Sequence, residues 1–180
     1  MTRIVLDTCV LYPTVMREML LGVARAGGFT PIWSPRILEE WARAAIKLGP
    51  EGAAQARAEI AVLSVDFPKA CHPEAPHIAQ KLWLPDPNDL HVLALAVSTS
   101  ADAIITLNAK DFPRGTLDAE GLVRLDPDGV LMDQWLSNPA RVQTVAAQVL
   151  AQANQISGGG WQMRALLKKA RLPRLAKALA

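Results

Sequence analysis

Cysteine and histidine are scarce in this chain, and each shortage removes a class of function. The two cysteines, Cys9 and Cys71, are too few for a disulfide framework, and the apolar surroundings of Cys9 fit a small buried side chain in a reducing compartment. Cys71, His72 and His77 fall close together but lack a fourth ligand and zinc-site spacing, so a metal held by nitrogen and sulfur is not expected. No apolar run approaches the ~20 residues needed to span a bilayer, and the opening residues have no signal-peptide layout. The expectation is a cytoplasmic protein with no membrane partner. Phosphate-cradling glycine loops are missing too: Gly27-Gly28 closes a helical pattern, and Gly158-Gly159-Gly160 does not follow a strand. No internal repeat or long low-complexity segment is visible.

What the chain does have is apolar content and uneven charge. Of its 180 residues, 51% are hydrophobic, enough for one sizeable core or one core with a small appendage. The net charge of +2 hides a split: residues 1–133 hold all 17 acidic residues and 12 of the 19 basic ones, whereas residues 134–180 hold the other seven basic residues and no acid. That asymmetry suggests an acidic body with a basic attachment that meets a polyanion or an acidic partner, a solvated helical tail being the plainer alternative. Five tryptophans leave scope for exposed Trp or Leu surface and a homodimer.

The stretch from Arg3 to Thr8 organises the rest. A short apolar run that ends abruptly in a carboxylate reads as a buried parallel strand delivering Asp7 to its carboxyl end, where open α/β sheets bind ligands. Taken alone, Asp7 is equally well a helix cap. After it, Pro13 opens a helix carrying Val15, Met16, Met19, Leu20 and Val23. The apolar Pro31-Ile32-Trp33 leads into Ser34-Pro35, a cap and first-turn pair, and the helix behind them places Ile37, Leu38, Trp41, Ala42 and Ala45 on one face. Neighbours on a helix point ~100° apart, so Glu40 lies beside that face while Glu39 looks to solvent. A further helix is expected from Pro50 to about Leu63, and Ser64 to Pro76 reads as strand or loop.

Asp86 looks like a helix cap, Pro87 the first helical residue and Asp89 a third-position acid, so capping alone explains both carboxylates. The residues behind them, Val92 to Val97, are apolar nearly all round, however, and an acid at the start of so buried a helix faces a cleft. His91 is expected on the outer face. A second buried-type strand, Ala103 to Asn108, ends in polar residues, with Asp111-Phe112-Pro113 turning the chain away. A right-handed crossover brings both strand ends to one sheet edge, so Asp7, Asn108 and Asp111 converge, joined by Asp89 and Glu40. Like charges so close raise one another's pKa and cost stability unless a cation sits between them. Oxygen-only ligands favour magnesium or manganese.

In this order the residues resemble a PIN domain, the nuclease fold of VapC-type toxins. The resemblance is carried by Val-Leu-Asp-Thr (5–8), Ser-Pro-Arg-Ile-Leu-Glu-Glu (34–40), Asp-Leu-His-Val-Leu-Ala-Leu-Ala (89–96) and Ile-Ile-Thr-Leu-Asn-Ala-Lys-Asp-Phe (104–112), about two-thirds of the chain. It implies a three-layer α/β/α fold around a central parallel sheet and a Mg2+- or Mn2+-dependent endoribonuclease. Its acids would be Asp7, Glu40, Asp89 and a fourth group after the last strand, for which Asp111 is the candidate. Thr8, Thr106 and Asn108 would orient ligands or waters. At Asn108 many members carry Asp, and Asp111 or Asp86 would then supply the missing charge. A type II toxin would also have a cognate antitoxin protein besides its RNA substrate.

After a last strand over Gly121 to Leu125, the pattern changes at Asp126-Pro127-Asp128-Gly129. Residues 1–127 are therefore read as the PIN-like domain and 128–180 as a basic helical extension, with helices over 130–137 and 139–156. Beyond the three glycines, Arg164, Lys168, Lys169, Arg171, Arg174 and Lys177 punctuate a leucine-rich segment interrupted by Pro173 and are the candidate RNA or partner contacts. Two rivals remain: a PIN-like scaffold that has lost catalysis and only binds RNA or a partner protein, favoured by Asn108 and the basic extension, and a doubly wound phosphotransferase. The second normally has another Asp two residues after Asp7, where this chain has Cys9.

Overall fold

The computed structural model describes residues 1–180. Four short strands form its centre: β1 (Arg3–Leu6), β2 (Thr30–Ile32), β3 (Ala103–Ile105) and β4 (Val123–Leu125). All pairings are parallel, in the order β2-β1-β3-β4, with Val5 opposite Ile32 on one side and Ile104 on the other. Val5, Leu6, Ile104 and Ile105 are wholly buried, which is why these strands read as unbroken apolar runs without alternation. Because the chain builds outward from β1 first to β2 and then to β3, the strand order reverses between β1 and β3. That reversal places a ligand-binding crevice at their carboxyl ends.

The eleven helices are, in chain order, α1 (Thr8–Leu11), α2 (Thr14–Arg25), α3 (Pro35–Ala44), α4 (Gly52–Asp66), α5 (Pro76–Ala79) and α6 (Leu90–Ser98). They continue with α7 (Arg114–Ala119), α8 (Pro127–Ser137), α9 (Pro139–Ser157), α10 (Met163–Lys169) and α11 (Pro173–Ala178). Parallel sheet and crossover helices together make the α/β/α fold expected from the sequence. Ser34 caps α3 as its residue type suggests, its Oγ accepting from Ile37 N at 3.2 Å. Ile37, Leu38 and Trp41 anchor α3, each contributing about 2 kcal/mol by burial. The segment after α4 is irregular and touches the sheet through one parallel bridge between Trp33 and Cys71.

By their packing the residues form two compact units, Met1–Tyr12 with Phe29–Leu125, and Pro13–Gly28 with Asp126–Ala180. In this division α2 groups with the C-terminal helices, which a linear reading of the sequence cannot anticipate. The α2 face of Met16, Met19, Leu20 and Val23 is wholly buried, and Gly22 lets α9 approach so closely that a Cβ there would sit 2.5 Å from Val145 Cγ1. In the same unit, Asp128 is only 5% exposed and accepts from the N–H groups of Arg174 and Leu175 at 2.8 and 3.0 Å, pinning the start of α11 to α8. Asn154 holds Trp161 by a reciprocal pair of hydrogen bonds across the glycine turn, where Gly158 adopts the left-handed conformation that ends α9.

Candidate metal centre

Asp7 ends β1 at the strand-order reversal and is 6% exposed. The residue just past β3, Thr106, donates from Oγ1 to Asp7 Oδ2 at 2.6 Å, a short hydroxyl–carboxylate hydrogen bond. Thr106 Oγ1 in turn accepts from Asn108 N at 2.9 Å. Cys9 adds a thiol: its Sγ donates to the same Asp7 oxygen at 3.1 Å and accepts from Leu107 N at 3.2 Å. Burial, and next the Asp7 charge, push the Cys9 thiol up to about 12, so it stays protonated and able to donate. The sequence accounts for Cys9 only as a small buried residue, since nothing in one chain signals a contact with Asp7.

Asp86, Asp89 and Asp111 come together at the neighbouring loops, each offering a carboxylate oxygen within 4.8 Å of the other two. Asp86 caps a short 3-10 turn, Pro87–Asp89, through Oδ1, which accepts from Asn88 N at 2.9 Å. That turn precedes α6 and carries Asp89 toward the crevice. Burial, followed by the charges of Asp7, Asp86 and Asp111, raises the Asp89 pKa to about 6. His91 partly offsets this, and Asn108 donates from Nδ2 to Asp89 Oδ2 at 3.2 Å. Asp86, expected either as a supporting residue or as a source of the charge missing at Asn108, stands beside Asp89 and Asp111.

Glu40 lies outside that trio and is held by protein donors. Arg36 Nε and His91 Nε2 approach its Oε1 at 3.1 and 3.0 Å, and Thr8 Oγ1 donates to its Oε2 at 3.0 Å. Burial alone would raise the Glu40 pKa, but His91, Thr8 and Arg36 outweigh it and hold the group below its ordinary value. His91 is not on the outer face as expected: it is 7% exposed, because the second position of α6 turns inward toward α3. Glu39 does look outward, paired with Arg43 and Arg57.

Residues 3–110 match the family model described as PIN domain. The chain belongs to the PIN domain family. No curated protein and no solved structure matches it. PIN domains are in general metal-dependent nucleases that bind RNA. In this PIN domain the donor set fits a hard divalent cation: three carboxylates converge, and Asp89, its pKa raised by burial and then by the charges of Asp7, Asp86 and Asp111, carries a cost that a cation would relieve. No helix is long and apolar enough to cross a membrane.

The basic residues of the second unit are not equivalent. Arg174, expected to face RNA or a partner, is engaged internally, with Nη2 at 3.0 Å from Asp126 Oδ1 and Nε at 3.3 Å from Asp128 Oδ2. Lys169 Nζ stands 4.9 Å from the centre of the Trp161 ring. Arg164, Lys168 and Arg171 are exposed.

Proposed function

We propose that this PIN domain is a Mg2+- or Mn2+-dependent endoribonuclease and the toxin of a type II toxin–antitoxin pair. The observation that supports it most is the convergence of Asp86, Asp89 and Asp111 beside Asp7 at the strand-order reversal, with Asp89 raised to about 6. Asp7, Asp89 and Asp111 would hold the cation, with Asp86 close enough to share in it. When bound, the cation would supply positive charge to activate water and stabilise the scissile phosphate. Thr106 and Cys9 both donate to Asp7 Oδ2 and so hold the carboxylate in one orientation. Asn108 donates to Asp89 Oδ2 and would help to orient that ligand. Glu40, held below its ordinary pKa by His91, Thr8 and Arg36, would accept a proton or hold a water.

An acidic crevice repels RNA, so basic surface elsewhere must offset that repulsion, and Arg164, Lys168, Lys169, Arg171 and Lys177 are the residues assigned to it. A cognate antitoxin would act by covering either surface. The binding-only alternative is favoured by one observation, the neutral Asn108 in contact with Asp89. Saturable Mn2+ binding in calorimetry argues against that alternative. Expression in bacteria with and without the neighbouring gene, followed by mapping of RNA ends, tests the proposal. Growth arrest with discrete new RNA ends, both relieved by the neighbour, is expected; an unchanged RNA population would overturn it.

A further inference from the structure

Arg36 and His91, which hold Glu40 on one side, also line a cavity of about 320 Å3 together with Glu74, Gln80 and Pro87. That size is near the lower end of small-ligand sites (~300–1,000 Å3), room for one base and its sugar but not for a duplex. Apolar walls come from Ala75, Pro76 and Leu90, surfaces suited to a flat ring. Polar groups are few: one guanidinium, one carboxylate, one carboxamide and the imidazole of His91, whose Nδ1 has no hydrogen-bond partner. Arg36 Nη2 reaches Asn88 O at 3.4 Å, so the guanidinium bridges this cavity and the turn that delivers Asp89.

We propose that the cavity is a subsite for a guanine base of single-stranded RNA next to the cleaved bond; this rests on the nuclease reading of the adjoining acids. A carboxylate in the wall disfavours a phosphate, so the occupant is a neutral base, splayed from its strand as single-stranded RNA allows. Among the four bases, guanine alone carries both edges that this wall complements. Its N1–H and exocyclic N2 donors face an acceptor such as Glu74, and its O6 and N7 acceptors suit the guanidinium of Arg36. Adenine presents an acceptor at N1, and the pyrimidines lack N7. Because Arg36 and His91 contact Glu40, a base seated here also sets the position of that acid.

The test is saturation-transfer NMR or calorimetry of the full chain in EDTA with 5′-GMP, AMP, CMP and UMP. The four share one phosphate, so electrostatic binding elsewhere cancels between them, and none has an internucleotide bond to cleave. GMP is expected to bind about tenfold more tightly than the others, the discrimination of one good paired contact. Glu74→Gln, at an exposed position, should leave the circular dichroism unchanged and bring the four within about twofold. Equal affinities in the wild type, no saturable GMP binding, or a guanine preference that survives Glu74→Gln would each overturn the assignment. Binding is read without cleavage, so such a failure is distinct from failure of the nuclease reading, which metal-dependent cleavage tests separately.

Discussion

Thr106 Oγ1 donates to Asp7 Oδ2 at 2.6 Å, joining the ends of β3 and β1 where the strand order reverses. A hydrogen bond to a buried charged group contributes about 1.5–3 kcal/mol, and removing the donor leaves the carboxylate underserved. Thr106→Val is therefore expected to lower stability by about 2 kcal/mol in EDTA, measured by urea denaturation, whereas Thr106→Ser should cost less than half as much. Equal losses would mean that the methyl group, not the hydroxyl, matters there.

Asp89 gives a pH dependence with a definite sign. Its pKa is raised in the folded protein, so between the unfolded value near 4 and the folded value of about 6 the native state binds more protons than the unfolded state. Metal-free stability should then fall as pH rises through that window and level off above it. Because the group is partly exposed and screened, the loss is about 1 kcal/mol, not the full linkage value. Asp89→Asn should remove the slope and stabilise the metal-free protein by a similar amount. Unchanged pH dependence in that variant would assign the slope to other groups.

The two adjacent acids of α3 separate cleanly. Glu39 is exposed and paired with Arg43 and Arg57, so Glu39→Gln should leave cleavage within about twofold of wild type. Glu40 contacts Thr8, Arg36 and His91, and Glu40→Gln should lower kcat by about a hundredfold, as loss of a general base or water-positioning group does. Initial rates on one RNA for both variants decide it, and equal rates would exclude Glu40 from the chemistry.

The basic residues of the second unit should also fall into two sets. Replacing Arg164, Lys168, Arg171 and Lys177 with Gln should weaken RNA binding and flatten its log–log salt dependence by roughly one unit for each phosphate no longer neutralised, with little change in Tm. Arg174→Gln should instead destabilise the fold by about 1 kcal/mol, because it removes a donor from buried Asp128. A salt slope altered by Arg174→Gln alone would reverse that division.

The fold was legible because β1 and β3 are buried and therefore stand out as short apolar runs, although the second was expected to continue to Asn108 and stops at Ile105. Asp89 was legible from the Pro87 turn ahead of an apolar helix. Contacts between distant residues were not. Arg174 meets Asp126 and Asp128 from 48 and 46 residues away, and nothing local distinguishes it from its basic neighbours. Likewise the α6 face that carries His91 inward could not be chosen from a segment apolar on nearly every side. The grouping of α2 with the C-terminal helices escaped for the same reason, since Gly22 against Val145 is a tertiary fit that no periodicity records.

Cleavage of a single-stranded RNA by the purified chain, with Mg2+ or Mn2+ and with EDTA, alongside Asp7→Asn and Asp89→Asn, tests the central claim most directly. Metal-dependent cleavage by the wild type is expected, reduced by at least about a hundredfold in each variant while circular dichroism stays native. Full cleavage by both folded variants, or a wild-type rate unaffected by EDTA, would contradict a carboxylate-held metal at the end of β1.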